Sequence, residues 1–277
     1  MIPDAARARI EGSHAFTSDL SVPEFLLVRE GGFRPVAQVM GSCFYHVGWQ
    51  GLPFVPGAQQ FGGWGQGRTF ELETQSEAWN EARRLALGRL ADEARLAGAD
   101  AVVGVRLQRG VYDWSAGVLE FVATGTAVRS EELDLGDEPV LSNLSGQDFA
   151  KLFRHGFWPA GVVAATSVCF VVTGWRQQRA TSMFGTAWQN QELPDFTRGL
   201  YDARARTMRL LERQAHERGA HGVVGVRLDR SEHEVEANQV TNLVVTMHVL
   251  GTAIVELERR DEPPPVYVAL PLKQEAR

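Results

Sequence analysis

The sequence predicts an α+β protein made of two diverged copies of one small domain. Each copy runs helix, strand, long loop, helix, strand, strand. Three observations predict this. The pattern Gly-Ala-x-x-Val-Val-Gly-Val-Arg-Leu occurs twice, at 98–107 and 219–228. A helix-length apolar stripe precedes each occurrence, and a strand ending in Gly-Thr-Ala follows each, at Gly125 and Gly251. A chain of 277 residues holds two domains of roughly 100–200 residues each. Its 44% apolar content lets each copy bury a core.

Each copy opens on a short helix. Leu20-Ser21-Val22-Pro23-Glu24-Phe25 matches Leu144-Ser145-Gly146-Gln147-Asp148-Phe149, with a serine three residues before an acid as in a helix capping box. Gly32-Phe33-Arg34-Pro35 and Gly156-Phe157-Trp158-Pro159 end those helices. Aromatic and β-branched content then marks strands at Cys43-Phe44-Tyr45-His46-Val47-Gly48-Trp49 and Cys169-Phe170-Val171-Val172-Thr173-Gly174-Trp175. A glycine- and tryptophan-bearing loop follows in both copies, at 61–64 and 184–188.

The long helices carry Trp79, Ala82, Ala86, Leu90, Ala94 and Ala97 at spacings of three and four, against Leu200, Ala203, Thr207, Leu211 and Ala215. The small alanines let such a helix lie close to a sheet. Gly98 and Gly219 fit the left-handed position that closes a helix. The Val-Val-Gly-Val run then reads as a buried strand whose glycine marks a close backbone approach. Aligned on the cysteines, the second copy gains two residues before the Cys strand. It loses five before the long helix and regains five around 231–240, where an enlarged hairpin loop is expected.

The units are placed at 18–129 and 144–258, with an acidic linker at 130–143 and a proline-rich spacer and tail at 259–277. The tail strand Val266-Tyr267-Val268-Ala269-Leu270 suits a sheet edge or a protein partner.

The Cys43…Gly48 strand, Gly98 to Gly104 and Gly125 to Val128, with Cys169…Gly174, Gly219 to Gly225 and Gly251 to Ala253, resemble the YbjQ family, labelled putative heavy-metal-binding. The resemblance covers roughly residues 38–129 and 164–257. It implies a β-α-β-β fold with an antiparallel sheet backed by one helix, assembly into homo-oligomeric rings, and no established catalysis. The chain departs from the family pattern in fusing two units and in carrying His221 where the first copy has Asp100. The fusion gives each chain two positions in a ring.

Function classes narrow accordingly. A net charge of −6 with dispersed acids argues against a nucleic-acid footprint. No stretch is apolar for the length of a membrane span, and the first residues lack a secretory apolar core, so a cytoplasmic protein is expected. No nucleophile elbow, P-loop or dinucleotide fingerprint occurs. The expected role is a non-enzymatic, oligomeric binding or scaffold protein.

One alternative is a metal-binding protein using Cys43 and Cys169 at equivalent places, where thiolates suit a soft ion such as zinc or copper. Against it, Cys43 and His46 fall on opposite faces of a strand, and the second copy has Val172 for His46. His233 among Asp229, Glu232, Glu234 and Glu236 reads as a solvated acidic loop. His216, His221 and His248 read as structural. The Gly62-Gly63-Trp64-Gly65-Gln66-Gly67-Arg68 loop suits an anion in composition but does not open a helix directly. A further alternative is an enzyme whose site forms between subunits.

Overall fold

The computed structural model describes residues 3–12, 15–48, 67–112, 117–131, 136, 138–174, 177, 190–237 and 240–257. The tryptophan loops at 61–64 and 184–188, most of the glycine-rich 62–68 loop and the 259–277 tail lie outside the described residues.

The first copy contains helices α2 (Val22–Glu30) and α3 (Glu73–Leu96) and strands β1 (Phe33–His46), β2 (Arg68–Glu71), β3 (Ala101–Tyr112) and β4 (Val118–Ser130). A further short helix, α1 (Asp4–Glu11), precedes it. The second copy contains β5 (Val140–Leu141), α4 (Gly146–Arg154), β6 (Phe157–Val172), α5 (Pro194–Glu217), β7 (Gly222–Ala237) and β8 (Val240–Glu256). The α+β class and the duplicated antiparallel sheet with one long helix are as the sequence predicts.

The local devices work as the residue types require. Glu24 accepts from the Ser21 backbone N–H at 2.8 Å and from its hydroxyl at 2.7 Å, which holds its carboxyl below the usual range. The shorter Asp148 takes only the Ser145 hydroxyl, at 2.9 Å, while Ser145 accepts from the Asp148 N–H at 3.1 Å. Ala82, Ala86, Leu90 and Ala94 of α3 are fully buried, as are Ala203 and Thr207 of α5. Gly98 and Gly219 adopt φ of 68° and 65° after the two helices. The Val-Val-Gly-Val glycines correct an expectation. Gly104 and Gly225 serve bulges at φ 67° and 61°, and a Cβ on Gly104 would meet nothing within 4 Å. Val226 of the second run is exposed. The close contacts between neighbouring strands fall instead at the glycines of the two Gly-Thr-Ala strands. A Cβ on Gly125 would meet the Val102 side chain at 2.7 Å, and one on Gly251 would meet that of Val223 at 2.6 Å. Asp100 and His221 differ in chemistry but share a task. Asp100 accepts the Ser130 N–H at 2.7 Å, and His221 Nδ1 accepts that of Glu256 at 3.3 Å.

The sheet order holds what the sequence did not announce. One sheet runs β1-β4-β3-β5 and the other β2-β6-β8-β7. Each copy therefore lends one strand to the other. β2 leaves the first copy to pair antiparallel with β6, Glu71 opposite Cys169. β5, inside the segment read as linker, pairs parallel with β3 of the first copy.

Two further expectations are corrected. β1 and β6 begin at Phe33 and Phe157 and carry the same bulge, between Pro35 and Ala37 and between Pro159 and Gly161. Counted from those leaders, Cys43 corresponds to Ser167, and Cys169 to Tyr45. The cysteines are thus not equivalent, and no insertion precedes the strand. The length change falls after it, before the long helix. The enlarged loop around 231–240 is likewise an extension of strands, with His233 of β7 paired to Val244 of β8.

Candidate functional site

The densest polar construction among the described residues is the joint between the copies. Its first half is built on a repeated Ser-Asx-Leu-Ser segment. The Thr126 hydroxyl lies 3.3 Å from that of Ser18, accepts from the Asp19 N–H at 3.2 Å and donates to the Asp19 carboxylate. In the second copy Thr252 repeats the pattern with Ser142 at 3.2 Å, the Asn143 N–H at 2.9 Å and the Asn143 side-chain oxygen at 2.6 Å. The threonine of each Gly-Thr-Ala thus pins its own copy's leading segment.

Once pinned, 140–144 offers its backbone to β3. Val140 and Ser142 donate to the Asp100 and Val102 carbonyls at 3.0 and 2.8 Å. Gly104 and Val105 donate back to Leu144 and Ser142 at 2.8 and 2.9 Å. The β3 bulge between Val103 and Arg106, with Gly104 at φ 67°, turns these N–H groups outward.

The second half covers the free edge of β6. Beyond the β2 pairing, Val168 donates to the Ser76 hydroxyl at 2.9 Å. Asn80 brackets Thr166, donating to its carbonyl at 2.9 Å and accepting from its N–H at 3.0 Å. Arg83 is buried and donates to the Ala164 carbonyl at 2.7 Å, to the Thr166 hydroxyl at 2.7 Å and to the Asn80 side-chain oxygen. Burial pushes its guanidinium down to about 10, and it remains a cation at neutral pH. Because Thr166 accepts from Arg83, its own hydrogen is free for His248 Nδ1 at 2.9 Å. Burial, with Arg109 and Arg83 nearby, pushes the His248 pKa down to about 3. The imidazole is therefore neutral, with its proton on Nε2, and lies edge-on to Trp79 at 4.9 Å between ring centroids.

Aromatic packing closes one end of the joint. Phe33 of the first copy meets Phe149, Phe153 and Trp158 of the second at 5.2, 5.1 and 6.0 Å between centroids. Pairs of this kind contribute about 0.5–1.5 kcal/mol each beyond the area they bury.

The predicted metal ligands lie elsewhere. Cys43 and Cys169 are buried in separate apolar clusters, Cys43 with Val39 and Phe121, Cys169 with Val171 and Met247. Burial first, then Glu71, pushes the Cys169 thiol up to about 12, whereas a ligand must be thiolate. No group of three or more His, Cys, Asp or Glu side chains suited to a metal occurs among the described residues. The local donors therefore do not by themselves make up a heavy-metal site. His46 and His233 are exposed. A broad groove of about 1030 Å³ between α3 and α5 is lined by Glu71, Glu73, Glu77 and Glu81 as well as Arg84, Arg213 and Arg218, so its mixed walls select neither sign of charge.

Sequence reasoning missed Asn80, Arg83, Ser142, Asn143 and Thr252 as a working group. The available signal was the pairing of the Ser-Asx-Leu-Ser repeat with the Gly-Thr-Ala repeat. No described helix is long and apolar enough to cross a membrane.

A family described as "Putative heavy-metal-binding" matches residues 65–131 and 176–256. The chain is similar to an encapsulin nanocompartment protein of Mycobacterium tuberculosis, 35% identical over 258 residues, covering 91% of this chain and 90% of that one. It is also similar to a UPF0145 protein of Clostridium perfringens, 44% identical over 62 residues, 22% of this chain and 57% of the relative. A UPF0145 protein of Halobacterium salinarum is 48% identical over 58 residues, 21% of this chain and 54% of the relative. Of those two shorter matches, the chain spans little more than half the length.

Proposed function

The chain belongs to the YbjQ family, and on that premise we propose that it is a non-enzymatic cytoplasmic scaffold that assembles into homo-oligomeric rings. Its units are 18–129 and 144–258, and the end of the bridge 130–143, at 140–143, serves as the second unit's leading segment. The observation that carries this reading is the use made of buried polar groups. Asn80, Arg83, Thr166, Ser142, Asn143 and Thr252 all hydrogen-bond across or beside the joint between the copies. Groups committed to neutral partners in a packed seam serve assembly, since catalysis needs a reactive group facing a substrate. The relative named as an encapsulin nanocompartment protein aligns across both units, which supports a scaffold associated with a protein-shell compartment.

Native mass spectrometry of protein purified without chelator tests the reading. A defined oligomer of whole chains, with no mass beyond the polypeptide, is expected. A chain that stays monomeric at tens of micromolar sinks it.

A further inference from the structure

The groove of about 1030 Å³ runs along the joint, with α3 of the first copy on one side and α5 of the second on the other. Leu87 and Ala91 of α3, Leu141 of β5, Ala160 of β6 and Leu210 of α5 line it, and each is only half-buried. Apolar surface gathered in a concave site marks an interaction surface.

Charge is sorted along the length of the groove. α3 runs antiparallel to β6, because Ser76, Asn80 and Arg83 meet Val168, Thr166 and Ala164 in turn. One end therefore holds Glu73 and Glu77, and towards the other lie Ala160, Arg213 and Arg218. Glu138 also stands at that second end, 3.6 Å from Arg95. From Glu73 to Ala91 the groove is about 27 Å long, at about 1.5 Å per helical residue.

The last residues of the sequence suit this groove in reach, length and charge. β8 finishes near the second end, where the Leu257 N–H donates to the Gly156 carbonyl at 2.7 Å. Ala160 is roughly 13 Å further along β6, at about 3.3 Å per residue. Residues 258–265, closing on Pro263-Pro264-Pro265, reach about 25 Å at about 3.1 Å per residue, enough to cross that gap. Val266-Tyr267-Val268-Ala269-Leu270-Pro271-Leu272 is then uncharged, and Val266 to Lys273 extends about 26 Å. Asp261 and Glu262 precede it and Lys273 follows, the order that meets Arg213 and Arg218 first and Glu77 and Glu73 last. Pro265 and Pro271 lack the N–H that strand addition uses, so side-chain contact in a groove suits this segment better than a sheet edge.

We propose that residues 266–273 lie in the groove of their own chain, entering beside Ala160 and running toward Glu77, and so strap α3 of the first copy to α5 of the second. Tethered through a short spacer, the segment meets its groove at an effective concentration in the millimolar range. A contact with a Kd of about 0.1 mM then stays closed roughly nine-tenths of the time. A separate protein reaches the apolar lining only by displacing the tail. The strap belongs to a single chain and does not depend on how chains assemble.

Disulfide trapping in the full chain tests the proposal. Leu87→Cys with Leu270→Cys, at low micromolar protein with oxidised glutathione, is expected to close within one chain. Its rate should exceed by about tenfold that of Val226→Cys with Leu270→Cys, which reports the exposed β7 edge. Cys43 and Cys169 are buried and stay out of the exchange. Leu87→Glu, or Leu210→Glu from the α5 wall, gives a second readout. Chymotrypsin cleavage at Tyr267 is expected to quicken by about tenfold, with the circular-dichroism spectrum unchanged. Equal trapping at the two places, trapping only between chains, or cleavage at Tyr267 as fast in the parent as in both groove variants overturns the strap.

Discussion

β1 and β6 are the same strand in two settings. β6 reads Gly161-Val-Val-Ala-Ala-Thr-Ser-Val-Cys-Phe-Val-Val172, nearly unbroken in apolar or small residues, and is buried on both faces. β1 alternates buried Val39, Gly41 and Cys43 with exposed Gln38, Met40 and Phe44. A strand covered on both sides loses its period of two, and a strand with one wet face keeps it. The two strand sequences thus record that one face of β1 meets water more often than that of β6. β3 and β7 teach the converse. Both carry Val-Val-Gly-Val-Arg-Leu, yet among the described residues Val105 of β3 is fully buried and Val226 of β7 is 44% exposed.

The largest effect separates β3 from β7. Val105→Asp places an unpaired carboxylate in a dry seam, at a cost of about 3–5 kcal/mol. Urea unfolding should show that loss, whereas Val226→Asp should leave the midpoint unchanged in the isolated chain. Equal losses at both positions would mean that β7 is already covered.

A second contrast is acid sensitivity. Counted from Gly125 and Gly251, His248 of β8 corresponds to Val122 of β4, so only the second copy holds a buried imidazole there. Its folded pKa of about 3 lies below the ordinary 6.5, and the unfolded chain takes the proton first. The stability it allows is full above about pH 6.5 and is lost as pH falls toward about 3. We expect a decline on the order of 3 kcal/mol between pH 7 and pH 4, measured by urea titration across pH, and a flatter profile in His248→Gln. An unchanged profile in that variant would place the acid sensitivity in the carboxylates instead.

The smallest expected effect is at the thiols. Cys43→Ser with Cys169→Ser should cost about 1–3 kcal/mol from burying hydroxyls and leave the oligomer and its metal content unaltered. Loss of a bound metal on this double substitution, read by elemental analysis, would restore the thiolate reading.

Much of the fold was legible because it is local. Helix stripes, the Ser21 and Ser145 caps and the left-handed Gly98 and Gly219 each need only a few neighbouring residues. The exchange of β2 and β5 was not legible, because strands of four and two residues carry little pattern and their partners lie far along the chain. The cysteine alignment went astray for a related reason. A shared Cys-Phe pair is a short signal, whereas the leaders Phe33 and Phe157 and the bulges after Pro35 and Pro159 set the register of whole strands. The joint lay between these levels. Its threonines and serines were visible as repeats, but hydrogen bonds between copies appear only once the copies are placed.

The crossed strands have a kinetic consequence. Within one chain the two halves of a joint are tethered, and tethering of this kind gives an effective concentration in the millimolar range. Dilution acts on a joint between chains and leaves the internal one untouched. A single chain released from the assembly proposed above therefore keeps β2 and β5 in place, so reassembly starts from a finished two-unit particle.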